Sequence, residues 1–297
     1  MVAIENVEVQ TYLPEPSVPT LRLPALSCDT HVHVFGPRSR FPYAAGLKNT
    51  PKEAPKETLY ALHERLGIER CVIVQATVHG YDNGAIEDAI EHGNGRYLGV
   101  ALVRPDVSDA ELARLAKAGF RAVRFNFMRH LATVDIDSVM ALTPRLANHN
   151  LHLQVHFECN LVHELAPKLK QSPVQVVVDH MGRFDARLGA DHEDFQGLMR
   201  LLEDDKFYVK VSGIDRADAY AAPEHRYRRG EALARLLVES FPDRVVWGTD
   251  WPHPNHTHIP DDGLLVDALA RIAPNESLLH KLLVHNPQTL YQFPEAG

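Results

Sequence analysis

The chain has 297 residues, more than one ordinary domain needs but usual for an α/β barrel. Its 45% apolar and 24% charged content is that of a soluble globular protein, and a formal charge of −8 excludes nucleic acid and anionic membrane as natural partners. No transmembrane run and no basic-then-apolar leader is present; Cys28, Cys71 and Cys159 lack C-x-x-C spacing and sit in apolar runs, so the expectation is a cytoplasmic protein with buried, reduced thiols.

Residues 1–24 carry Pro14, Pro16, Pro19 and Pro24 and read as an extended arm; residues 25–297 read as a single domain, with no linker or shift in composition inside them. From residue 25 onward, short β-branched runs recur. They are Ala25–Phe35, Cys71–Thr77, Tyr97–Val103, Ala122–Phe127, Leu151–Glu158, Val174–Met181, Phe207–Gly213 and Val245–Trp251. Helical apolar spacing lies between most of them. Leu59, Leu62 and Leu66 lead to Gly67; Leu112 and Leu115 lead to Gly119; Val139, Leu142 and Leu146 lead to Asn150; Leu233, Leu236 and Leu237 lead to Phe241. Strands alternating with helices imply a parallel sheet with right-handed crossovers, and eight such units predict a (β/α)8 TIM barrel. An open doubly wound sheet is the alternative, but no G-x-G-x-x-G follows an early strand. Polar excursions at 36–57, 182–198 and 214–230 are expected over the C-terminal face, and Pro260-Asp261-Asp262 opens a closing helical tail over Leu264–Leu290.

Residues two apart on a strand face the same way, so His31 and His33 point into one space and Val32 points away. The other expected strand ends supply Arg124 and Asn126, His156 and Glu158, Asp179-His180, Asp215-Arg216 and Asp250. A closed barrel brings all of these to one mouth. Two chemistries suit such a set. One divalent metal such as Zn²⁺ takes several imidazoles and a carboxylate and keeps a position open for water. Alternatively the imidazoles polarise a carbonyl without metal, and Asp250 takes the proton of the attacking water. Arg124, Arg129 and Arg216 bring positive charge suited to an anionic substrate. His253, His256 and His258 read as solvated loop histidines, and the basic run His225–Arg229 as a solvated helix start. The absence of G-x-S-x-G argues against a serine esterase.

Several stretches together resemble the amidohydrolase superfamily and, within it, the 2-pyrone-4,6-dicarboxylate hydrolase (PDC lactonase) group. They are Asp29-Thr-His-Val-His-Val-Phe-Gly-Pro37, Phe41-Pro-Tyr43, Val74-Gln-Ala76 with His79-Gly80 and Asp82-Asn83, Val123-Arg-Phe-Asn-Phe127, Asp179-His-Met-Gly-Arg183, Trp247-Gly-Thr-Asp-Trp-Pro-His-Pro-Asn255, Ile259-Pro-Asp-Asp-Gly263 and Asn286-Pro287 with Leu290-Tyr291. The resemblance implies that His31, His33 and His180 polarise a lactone carbonyl and that Asp250 activates water. It implies that Arg124 and Arg216 hold substrate carboxylates, and that catalysis in the group is metal-independent.

Three positions depart from the group. Asn49 stands where the group tends to have Tyr, Arg129-His130 where it has Lys-Arg, and His156 where it has a strand-five Tyr. Metal-dependent amidohydrolases use a strand-five His as a ligand, so His31, His33, His156 and Asp250 form a candidate Zn²⁺ set, as in lactonases acting on sulfonated or carboxylated muconolactones. Asn49, Thr77 and His156 complete the expected substrate contacts. The expected activity is hydrolysis of a small anionic lactone by an enzyme that forms a homo-oligomer or acts alone. Zinc-dependent non-oxidative decarboxylation and non-catalytic binding of an anion or metal are the alternatives.

Overall fold

The computed structural model describes residues 8–47, 49–128, 134–218, 221–222, 225, 227–255 and 258–294. Eight parallel strands form its sheet: β1 (Cys28–Val32), β2 (Arg70–Val74), β3 (Tyr97–Leu102), β4 (Phe120–Phe127), β5 (His152–Phe157), β6 (Val176–Val178), β7 (Phe207–Lys210) and β8 (Val245–Val246). Each pairs with its neighbours in chain order, which is the right-handed βα succession that the alternation of runs implies. Backbone bonds close the ring. The Thr30 N–H donates to Trp247 O at 2.8 Å, the Asp250 N–H to His31 O at 2.8 Å, and the His33 N–H to Trp251 O at 2.7 Å. Gly248 lets β8 come this near, because a Cβ there would lie 2.6 Å from the His31 nitrogen.

The helices α1 (Lys56–Leu66), α2 (Gly84–Glu91), α3 (Asp109–Lys117), α4 (Ile136–Ala147), α5 (Val162–Leu169), α6 (Glu193–Leu202), α7 (Arg228–Ser240) and α8 (Asp262–Ile272) surround the sheet. Their ends follow the sequence signals. Gly67 closes α1 at φ 75°, and the carboxylate of Asp261 accepts the Gly263 N–H at the start of α8. The arm lies along α8, where Asp267 accepts the Thr20 N–H at 2.7 Å.

Side chains alternate across each strand. Cys71 and Ile73, Val123 and Phe125, Leu153 and Val155, and Phe207 and Val209 pack outward against the helices. Cys28, Val72, Val74, Leu98, Val100, Ala122, Val177, Tyr208 and Val246 fill the interior, and Leu290, Tyr291 and Phe293 of the C-terminal tail plug it from below. All three cysteines are free and buried, and burial pushes the Cys28 and Cys71 thiols well above their ordinary range.

Several expected boundaries shift. The ladder of β1 is shorter than Ala25–Phe35, and that of β8 stops at Val246, because the residues after it turn, with Asp250 at φ 67°. The excursion at 182–198 is not polar loop throughout, since α6 starts inside it at Glu193. No described helix is long and apolar enough to cross a membrane.

Candidate active site

The interior alternation places the polar cluster. On β4 the parity of Ala122 continues to Arg124 and Asn126, and β5 presents Gln154 and His156 in the same way. On β7, Tyr208 is followed at the same parity by Lys210 and then Ser212. Strand β1 needs a correction to its parity. Cys28 points inward, and an unbroken strand would next turn Thr30 and Val32 inward. The β1–β2 register shifts by one residue between Asp29 and Val32, where Asp29 pairs with Cys71 and Val32 with Ile73. That bulge swings His31 and His33 into the barrel.

His31, His33, His180 and Asp250 are buried together. From Oδ1 of Asp250 the Nε2 atoms of His33, His31 and His180 lie 3.2, 3.6 and 3.9 Å away. The other carboxylate oxygen pairs with Arg216 at 2.5 Å. Burial alone would raise the Asp250 carboxyl; Arg216 and the surrounding imidazoles outweigh it and hold the group well below the usual carboxylate range. A second carboxylate, Asp179, is bound by Arg124 at 2.8 Å and lies 3.3 Å from Nδ1 of His31. Burial opposes its ionisation, and Arg124, His31 and Lys210 overcome that. The imidazoles go the opposite way. Burial, then Lys210, pulls His31 down to about 3, and burial holds His156 and His180 well below their ordinary value. At neutral pH His31, His156 and His180 are therefore neutral rings beside ionised carboxylates.

The loops that carry the cluster are tightly wound. Of ten described non-glycine residues with positive φ, six lie here: His180, Met181, Arg183, Asp250, His253 and Asn255. Each such residue costs on the order of 1–3 kcal/mol, and clusters of them occur at functional sites. His180, Arg183, Phe184, Gly213 and Arg216 line a cavity beside the cluster.

The remaining expected contacts divide. His156 is half-buried, binds Asn126 Oδ1 through Nδ1 at 3.1 Å, and lies 5.3 Å from His180 between ring centres. Thr77 is exposed at the turn after β2, which ends at Val74, and Asn49 is exposed beside the short pairing of Glu8–Val9 with Thr50–Pro51. Arg129 lies outside the described residues, as does His256. The solvated reading of the loop histidines does not hold for His253, which is fully buried and paired with Asp262 at 2.9 Å; His258 pairs with Asp215 at 3.0 Å. Arg124 and Arg216, expected to meet substrate, are each held by a carboxylate of the site itself. Lys210 was not among the expected residues. It is fully buried under His31, and the signal for it was a lysine inside an apolar strand run.

Two groups of described residues have the spacing to hold a divalent cation: His31, His33 and Asp250, and His31, Asp179 and His180. His156 joins neither. Their protonation decides the fit. His33 Nδ1 lies 2.6 Å from Val74 O, the kind of partner a metal-bound histidine has, while its Nε2 lies 3.2 Å from Asp250 Oδ1, so both ring nitrogens face acceptors. His31 differs. Its Nδ1 lies 3.3 Å from the ammonium of Lys210 and 3.3 Å from the Asp179 carboxylate. Both groups share His31, and the buried ammonium of Lys210, 3.3 Å from its Nδ1 and 3.7 Å from Asp179 Oδ1, puts a positive charge beside either cation position, which disfavours a divalent ion there.

The chain resembles known proteins over nearly its full length. The family model described as Amidohydrolase matches residues 28–293. A 2-pyrone-4,6-dicarboxylate hydrolase of Comamonas testosteroni is 46% identical over 94% of each chain. A 4-sulfomuconolactone hydrolase of Hydrogenophaga intermedia is 37% identical over 91% of this chain and 89% of its own. The crystal structure of a probable 2-pyrone-4,6-dicarboxylic acid hydrolase of Acinetobacter baumannii with citric acid bound superposes with a TM-score of 0.80 at 25% identity, over 90% of this chain and 100% of the other. With the eight-stranded barrel and the His–Asp cluster at its mouth, these matches establish that the chain belongs to the amidohydrolase family.

Proposed function

We propose that this chain hydrolyses a small lactone bearing carboxylates or comparable anionic groups, such as 2-pyrone-4,6-dicarboxylate or a related muconolactone. The observation that carries the reading is the meeting of three imidazole Nε2 atoms within 3.9 Å of one carboxylate oxygen of Asp250. The names of the two curated relatives and the citric acid held by the structural neighbour support an anionic, ring-ester substrate.

The chemistry follows from the protonation just described. The substrate's ring carbonyl oxygen sits against the Nε2 side of the imidazoles, where His31 donates a hydrogen bond. Water adds to the carbonyl carbon while Asp250, ionised and flanked by His33 and His180, accepts its proton. Negative charge grows on the carbonyl oxygen and is taken up by donors that are buried and already oriented. The ring C–O bond then breaks, and the proton on Asp250 passes to the leaving ring oxygen. The new carboxylic acid ionises, so each turnover releases one proton near neutral pH. Arg124 and Arg216 have a similar claim on the substrate. Both are held by site carboxylates, and a substrate carboxylate gains from either by sharing the guanidinium fork. His156, with Nε2 buried and without a hydrogen-bond partner, is a substrate contact in this reading.

A panel of carboxylated and sulfonated lactones, followed by proton release under constant pH, tests the activity. The expected result is stoichiometric acid production without CO2. Evolution of CO2 from an aromatic or muconate-type acid, with no lactone consumed, would favour decarboxylation. Tight binding of the same anions with no turnover would favour a non-catalytic site.

A further inference from the structure

We infer that Lys210 is a positioning residue that holds His31 with its proton on Nε2, making that ring a hydrogen-bond donor to substrate and denying the barrel mouth a metal ligand. Lys210 is fully buried at the end of β7, where the apolar lower interior meets the polar cluster. An ammonium there must satisfy three N–H donors and can accept nothing. The structure supplies three acceptors: Thr30 O at 2.8 Å, Gln154 Oε1 at 2.9 Å and His31 Nδ1 at 3.3 Å. The first two cannot be given up without leaving buried carbonyls unmet. The third requires Nδ1 to be a lone pair, which puts the proton of a neutral ring on Nε2. That Nε2 is buried, has no hydrogen-bond partner, and faces the reacting space above Asp250.

One group competes for the same ring atom. Asp179 Oδ1 also lies 3.3 Å from His31 Nδ1 and 3.7 Å from Lys210 Nζ, and the ring and the ammonium both help to keep its carboxyl ionised. Its partner oxygen is held by Arg124. A metal-binding histidine donates its distal N–H to such a carboxylate and turns a bare nitrogen to the ion. Here the carboxylate is present and a lysine occupies the place at the ring. Without Lys210, His31 would be free to donate from Nδ1 to Asp179 and to expose Nε2 as a ligand beside His33 and Asp250. Burial draws the Lys210 ammonium down to about 8, which still leaves it protonated at neutral pH. The catalytic meaning of this tautomer rests on the lactonase reading. The tautomer does not, and both measurements below are made without substrate.

The test is the ring-proton position of His31 in the full-length protein labelled with 15N-histidine, with His31 assigned by the signal lost in His31→Gln. Wild type is expected to show the Nε2–H pattern, and Lys210→Met to show Nδ1–H. In parallel, chelator competition should show zinc bound at least about tenfold more tightly by Lys210→Met than by wild type, the size of effect that second-shell partners have on metal affinity. A wild-type spectrum with the proton on Nδ1 overturns the inference, and it needs no variant to fold. A folded Lys210→Met protein whose zinc affinity stays within about twofold of wild type overturns it as well.

Discussion

The two ends of the barrel interior are built from the same alternating strand positions and use them in opposite ways. The lower end is apolar: Cys28, Val72, Leu98 and Val246 meet Tyr291 and Phe293 of the tail, with Arg70 stacked 5.2 Å over the Phe293 ring and bonded to Gln288. The upper end carries His31, His33, His180, Asp179, Asp250, Arg124 and Arg216 on continuations of those strands. Lys210 marks the boundary, with its Nζ 6.0 Å from the Tyr291 ring below and 3.3 Å from His31 above. The difference shows that the lower layers supply apolar packing, while the backbone bonds of His31, His33 and Asp250 that close the ring run through the polar end itself. Left-handed backbone is concentrated at the upper end, in the turns that carry His180 and Asp250, while the plug has it at Gln292.

The sharpest way to break this division is Asp250→Asn. The amide keeps the shape of the carboxylate and its contacts with Arg216, but it cannot take a proton from water. Steady-state kinetics should show kcat lower by about 10³–10⁴-fold, of the order seen when a catalytic carboxylate is made an amide. Thermal stability should change far less. A loss of kcat smaller than about tenfold would mean that another group is the base.

The lower end should respond in the reverse sense. Phe293→Ala removes a buried ring from the plug and should cost about 3 kcal/mol of stability in denaturant melts, with kcat unchanged in the protein that remains folded. A large change in kcat at full folding would show that the two ends are coupled.

How far this division was legible in the sequence depends on the distance between the residues involved. The alternation within runs such as Ala122–Phe127 is local, and it brought Arg124 and Asn126 to one face correctly. His31 and His33 were also expected on one face. What the sequence hides is the bulge between Asp29 and Val32, without which that face would point toward the helices. Lys210 lies in the middle of the run Phe207–Gly213, where a polar residue carries no strand-end signal, although the ladder of β7 ends at it. The pairing of Arg124 with Asp179 joins residues far apart in sequence, and nothing local announces that an arginine aimed at the mouth already has a carboxylate. His253 was read as a loop histidine. The turn after β8 folds it beneath the start of α8, where Asp262 receives it.

Arg216 offers a smaller and more specific test. Its guanidinium contributes most to keeping Asp250 ionised and also bonds Pro254 O at 3.0 Å. Arg216→Met should raise KM for an anionic lactone by roughly 10–100-fold, as expected for the loss of one charge-assisted contact. It should also move the acid limb of kcat/KM to higher pH, because the carboxylate loses its nearest cation. A raised KM with an unmoved acid limb would confine Arg216 to substrate binding.

The mildest effect concerns acid stability, and both ends of the barrel take part in it. His31 and His180 above and His152 below are buried and His156 is half-buried, and burial holds all four below their ordinary value, His31 and His152 at about 3. A histidine whose pKa is depressed in the folded state binds its proton only when the chain unfolds. The unfolded state therefore takes up more protons as pH falls from about 6.5 toward 3, and stability falls with it. Above about 6.5 these groups contribute no slope. Each can add up to about 1.4 kcal/mol per pH unit inside that window. Asp179 and Asp250 work in the same direction lower down, because their depressed values give stability that is lost as they protonate. Denaturant melts between pH 7 and pH 4.5 should show this decline, and His152→Gln should shallow it by one proton without touching kcat. Flat stability across that range would mean that the buried rings accept protons in the folded state, and the neutral imidazoles assigned to the mouth would then have to be redrawn as cations.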